Sequence, residues 1–86
     1  MTNIERIQLY ETYLDELLEV ECLTDIYKSD DLKSHLKILI HYYESGQWLN
    51  DYTLDELGYL PKTLKRGILS QDTLYDFLQK IDINKL

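Results

Sequence analysis

Three features of this 86-residue chain predict an all-α fold. Apolar residues recur at helical spacing in three blocks, at about 3–27, 31–45 and 71–82. No alternating run is long enough to argue for a strand. All three glycines, the only proline and the only tryptophan fall between Tyr42 and Tyr75, so the irregular backbone gathers in one connector. The expected architecture is a three-helix arrangement within one small domain. It comprises a long N-terminal αα-hairpin, a turn-rich connector with short helices, and a C-terminal helix that closes the core.

The first helix is expected over 3–27. Its stripe is Ile4, Ile7, Tyr10, Leu14, Leu17 and Leu18, running on to Glu21 and Cys22, with Leu9, Tyr13, Val20 and Leu23 widening the buried face. Thr2 or Asn3 can cap its start, with Glu5 in the first turn. Lys28-Ser29-Asp30-Asp31 is the first break, with Ser29 or Asp30 as the next N-cap. The second helix follows to about 45, burying Leu32, Leu36, Leu39, Ile40 and Tyr43, with Tyr42 at the edge of the stripe. Gly46 suits the left-handed position that ends it. In the connector, Thr53-x-x-Glu56 has capping-box spacing, and Gly58 stops any helix it starts after about one turn. Pro61 fits the first position of a short helix from Lys62 to Arg66, with Gly67 as its stop. Ser70 caps the last helix, which docks through Leu74, Phe77, Leu78 and Ile81.

Composition narrows the function classes. Hydrophobic residues make up 44%, with seventeen leucines, eight isoleucines and no alanine, so the helices meet through large side chains. Net charge is −7, unevenly spread: residues 1–31 hold nine acids against two bases, and residues 61–86 hold three acids against five bases. That balance argues against binding nucleic acid through phosphate contacts. It permits a basic protein partner for the N-terminal half. The opening MTNIERIQ lacks a signal-peptide pattern, no stretch is apolar enough to span a membrane, and one cysteine makes no internal disulfide. A cytoplasmic protein is expected.

The connector resembles a bacterial family, domain of unknown function 4298, over about residues 42–75. The matching residues are Tyr42, Tyr43, Ser45, Trp48, Asp51, Asp55, Glu56, Gly58, Leu60, Pro61, Leu64, Lys65, Arg66, Gly67, Leu69, Ser70, Asp72 and Tyr75. Ile68 and Gln71 depart from the family pattern, and the tail is shorter than is usual in it. Residues 1–41 match only as an acidic amphipathic helix pair. The resemblance implies an all-α fold and a bacterial or phage origin, and it brings no activity with it.

Each cluster of chemistry-bearing residues carries a plain structural reading beside a functional one. Lys62, Lys65 and Arg66 can grip a phosphate or an acidic partner, or can finish a short helix and pair with Asp51, Asp55 or Glu56. Asp51, Asp55 and Glu56 lack the alternating oxygen-ligand spacing of a calcium loop, so the acids are expected to cap turns. His35 and His41, six residues apart, do not share the helix face that a zinc pair needs, and Cys22 is expected to sit in an apolar stripe. No nucleophile has a base at a telling spacing. No catalytic residue, metal or cofactor is therefore expected.

Two contact surfaces are expected. Glu11, Asp15 and Glu19 repeat at i, i+4 with Glu16 beside them, a row of like charge that a basic partner would relieve and that a solvated face also explains. Trp48 with Tyr42, Tyr43, Tyr52 and Tyr59 forms an aromatic group that serves either as core or as a partner hot spot. The leading expectation is a non-enzymatic interaction protein whose contacts come from Glu11, Asp15, Glu16, Glu19, Trp48, Asp51, Tyr52, Lys65 and Arg66. Its partner is another protein, basic in character, or a second copy. One alternative is an acidic inhibitor or immunity factor against a basic nucleic-acid-handling protein. Another is a ligand module or small enzyme, which requires Trp48, Asp51, Lys65 and Arg66 to converge on one pocket.

Overall fold

The computed structural model describes residues 2–70 and 72–86, and every described helix is α or 3-10, with no strand among these residues. The helices are α1 (Asn3–Leu18), α2 (Leu23–Lys28), α3 (Asp30–Glu44), α4 (Gln47–Glu56) and α5 (Thr73–Gln79), with 3-10 turns at Gly67–Leu69 and Ile83–Lys85. Local signals set the helix ends where expected. Thr2 and Glu5 form a reciprocal capping box, and Ser29 Oγ accepts the Leu32 N–H at 3.3 Å. Gly46 takes φ 89°, the left-handed turn between α3 and α4, and Gly58 takes φ 78° just beyond α4.

The expected first helix is two helices. The chain leaves helical geometry after Glu19, and Cys22 is extended at φ −135° and ψ 134° as the residue that starts α2. The last turns of α1 bring Asp15, Glu16 and Glu19 to a C-terminus that holds no base, where the helix dipole disfavours negative charge. The bend lets α2 pack on α3 with Ile26 fully buried. Cys22, expected in the apolar stripe, is exposed, its Sγ 3.4 Å from Thr24 Oγ1. That bond favours the thiolate and lowers the Cys22 pKa.

The connector also differs from expectation. Thr53 does not start a helix: it lies inside the ten-residue α4, with its Oγ donating to the Leu49 carbonyl at 2.8 Å. Residues 62–66 form a turn and a bend followed by irregular backbone, because Arg66 captures the carbonyls a helix would use. Its guanidinium donates to Pro61 O at 2.7 Å and to Leu60 O and Lys62 O at 3.4 Å. Gly67 opens the following 3-10 turn. The expected start of the last helix, Gln71, lies outside the described residues. From Thr73 the helix runs to Gln79, with Asp72 as its N-cap.

The core joins Ile7, Leu14 and Leu17 of α1 to Ile26 of α2 and to Leu36, Leu39 and Tyr42 of α3. Trp48 of α4, Leu60, Leu64, Ile68 and Leu69 of the connector, and Leu74 and Phe77 of α5 complete it. Tyr42, expected at the stripe's edge, is fully buried, while Tyr43 is half-buried. Each fully buried aliphatic contributes about 1.5–3 kcal/mol of burial free energy, so a connector supplying four such residues is part of the core. The final turn docks back on α2, where Tyr27 OH accepts the Asp82 N–H at 2.8 Å.

Candidate functional site

Two sets of chemistry-bearing residues emerge: a buried polar framework that holds the connector to the helices, and an aromatic surface that the framework positions. Asp51, on α4, is fully buried and sits between α1 and α3. Arg6 grips it with Nη2 at 2.6 Å from Oδ1 and Nε at 3.2 Å from Oδ2, and Tyr42 OH donates to Oδ2 at 2.6 Å. The bidentate fork and the phenol give a desolvated carboxylate three donors. Hydrogen bonding to Asp51 raises the Arg6 pKa. Burial, and then the bond to Asp51, pushes the Tyr42 phenol far above its ordinary value. Asp51 is thus not a turn cap.

A second buried link centres on Ile68. Glu11 of α1 reaches across to accept the Ile68 N–H, and Trp48 Nε1 donates to the Ile68 carbonyl at 2.8 Å. One peptide segment is thereby held between α1 and α4. Gly67 completes the fit: a Cβ there would lie 2.6 Å from Glu11 Oε1. Glu11, expected on an exposed acidic row, is 5% exposed.

Several of the expected contact residues are also paired. Asp15 Oδ2 lies 2.6 Å from Lys65 Nζ, a bond that raises the Lys65 pKa, and Glu16 Oε2 lies 2.9 Å from His35 Nδ1. The His35 ring stacks on Tyr13 at 4.0 Å. Glu19 stands exposed. Asp55 Oδ1 accepts a hydrogen bond from Arg66 Nε at 2.6 Å, one of the pairings expected between the basic cluster and Asp51, Asp55 or Glu56. The four side chains required for a ligand pocket do not converge. Trp48 anchors Ile68, Asp51 is enclosed with Arg6 and Tyr42, Lys65 reaches α1, and Arg66 turns to Asp55 and the loop carbonyls. Among the described residues no group of three His, Cys, Asp or Glu is placed to hold a metal ion.

What remains open is an aromatic double cleft where α3, α4 and α5 meet. One cleft, of about 200 Å³, is walled by Ile40, Tyr43 and Glu44 of α3, by Tyr75, Leu78 and Gln79 of α5, and by Ile81 and Ile83. Its neighbour, of about 310 Å³, is walled by Tyr43, Trp48, Leu49, Tyr52, Asp72 and Tyr75. Tyr43 and Tyr75 belong to both, with ring centroids 6.3 Å apart, and form the ridge between them. Trp48 stacks on Tyr52 at 5.1 Å and meets Tyr43 at 5.3 Å. Leu49 is 59% exposed, Ile83 61% and Tyr75 45%.

Of the expected contact residues, Trp48 and Tyr52 line this cleft, and the rest lie elsewhere. The aromatic group divides: Tyr42 and Trp48 belong to the buried core, Trp48 also walls the cleft beside half-buried Tyr43 and Tyr52, and Tyr59 stands 73% exposed outside it. The sequence reading overlooked Leu49, Tyr75 and Ile83 as surface. Tyr75 carried a usable signal, since it is an aromatic residue that falls off the Leu74–Phe77–Leu78–Ile81 stripe.

Among the described residues no helix is long and apolar enough to cross a membrane. A family model described as Domain of unknown function (DUF4298) matches residues 3–83, extending through the N-terminal helices that looked generic in the sequence. No curated protein and no solved structure matches the chain.

Proposed function

This chain belongs to the DUF4298 family, and from that footing we propose that it is a non-enzymatic, cytoplasmic protein-interaction module that contacts its partner through the aromatic double cleft. The observation that carries this reading is the cleft itself, where Leu49, Tyr75 and Ile83 stand exposed beside half-buried Tyr43 and Tyr52. Small soluble domains seldom leave apolar and aromatic side chains gathered this way unless something covers them, and Trp and Tyr dominate interface hot spots. The internal pairing of Glu11, Asp51, Asp55 and Arg66 supports a structural use of the side chains best suited to chemistry.

The inhibitor reading draws on the acidic row of α1, and the pairing there weakens it. Glu11 is buried, Asp15 is engaged by Lys65 and Glu16 by His35. Affinity capture separates the two readings. Tagged protein is incubated with nuclease-treated lysate of its native host and eluted at low and then high salt, beside Leu49→Asp/Ile83→Asp and Glu19→Lys variants. The cleft reading expects a stoichiometric partner that survives high salt, is lost with the cleft variant and is kept with Glu19→Lys. A basic partner released by salt and lost with Glu19→Lys overturns it in favour of the inhibitor, because screening weakens exposed charge contacts and spares apolar ones.

A further inference from the structure

We infer that the double cleft takes an amphipathic α-helix of a partner protein, one that presents two large apolar side chains on one face and Lys or Arg at its flanks. This rests on the interaction reading above and specifies the partner.

The walls of both clefts are mostly side chains of α3, α4 and α5. A segment that binds by adding a strand needs a free strand edge, and no strand exists among the described residues. A helix satisfies its own backbone groups and needs no such edge.

Two depressions of about 200 and 310 Å³ flank a ridge made by Tyr43 and Tyr75. Side chains at i and i+3 or i+4 of a helix project on one face and can straddle such a ridge.

The charged residues in the cleft walls are Glu44 in one and Asp72 in the other, both acidic. Neighbouring Glu56 chiefly, with smaller effects of Asp55 and Asp72, raises the Tyr52 phenol pKa. The Glu44 and Asp72 carboxylates attract a cationic helix and repel an acidic one.

The test pans a phage-displayed library of randomised helical peptides against the intact protein. Enriched peptides are expected to carry two large apolar residues three or four apart with flanking Lys or Arg. Leu49→Asp or Ile83→Asp, both at exposed positions, should weaken their binding about tenfold, as loss of a hot spot does. Glu44→Lys/Asp72→Lys should reverse the preference towards acidic flanks. Enrichment of acidic, uncharged or extended proline-containing peptides that still lose binding in the Leu49 and Ile83 variants overturns the cationic helix and leaves the cleft reading standing. Peptides indifferent to those variants, or no enrichment, overturn the inference, and an unchanged capture result in the same variants then removes the cleft reading as well. A concentration-dependent dimer abolished by Leu49→Asp would assign the cleft to a second copy and also overturn it.

Discussion

Asp51 shows how much of this molecule's organisation passes through single buried polar groups. Its carboxylate ties Arg6, forty-five residues away in sequence, to Tyr42 on a third helix, and a charge enclosed like this is tolerable only while every donor stays in place. Tyr42→Phe removes one donor and should cost about 1–3 kcal/mol at neutral pH. The pH dependence is a sharper check. The unfolded chain ionises this phenol near its ordinary pKa of 10.0, whereas the folded protein holds it protonated well above that. Above pH 10 the unfolded state therefore sheds a proton that the native state keeps, and stability falls as pH rises, by up to about 1.4 kcal/mol per pH unit from this group. Urea titrations should show the wild type losing stability in that range more steeply than Tyr42→Phe, so that the gap between them narrows. A gap that stays constant to pH 11 would deny the Tyr42 hydroxyl its buried role.

At the scale of elements, the connector is a segment built by side chains standing in for helical hydrogen bonds. Arg66 collects three consecutive carbonyls and is itself held by Asp55, while Ile68 is pinned from both sides by Glu11 and Trp48. Gly67 lies outside the left-handed region, so its requirement is one of space. Gly67→Ala pushes the Glu11 carboxylate away from the Ile68 N–H and should cost about 1–3 kcal/mol in chemical denaturation, the penalty of an unsatisfied buried donor. In a Glu11→Ala background the same change should be neutral or stabilising by about 0.4–1 kcal/mol, because an alanine restricts the unfolded chain. Equal costs in both backgrounds would contradict the fit of Gly67 to Glu11.

These same elements show what could be read in advance. The caps at Thr2, Ser29 and Gly46 were legible because each depends on residues within a turn of itself. The bend at 19–22 was not. It contains no glycine or proline, and it serves the docking of α2 on α3, which local periodicity does not record. The Lys62–Arg66 helix failed for a related reason: local preference after Pro61 was overridden by a guanidinium whose partner, Asp55, lies eleven residues back. Glu11 looked like a surface acid because its i, i+4 spacing with Asp15 is local, and its partner at Ile68 is fifty-seven residues away.

For the whole molecule, the residues through which the connector resembled its family divide into framework and surface. Tyr42, Trp48, Asp51, Asp55, Arg66 and Gly67 hold the connector against α1 and α3, and Tyr43 and Tyr75 form the ridge of the cleft, with Trp48 serving both. The framework thus holds an apolar surface on a protein whose net charge is −7. The most direct measurement is photo-crosslinking in cells of the native host, with a photoreactive residue placed singly at Leu49, Ile83, Glu16 or Glu19. The account predicts a discrete protein adduct from positions 49 and 83 and none from 16 and 19. Adducts from 16 and 19 with 49 and 83 silent would contradict it and move the contact surface to the acidic face of α1.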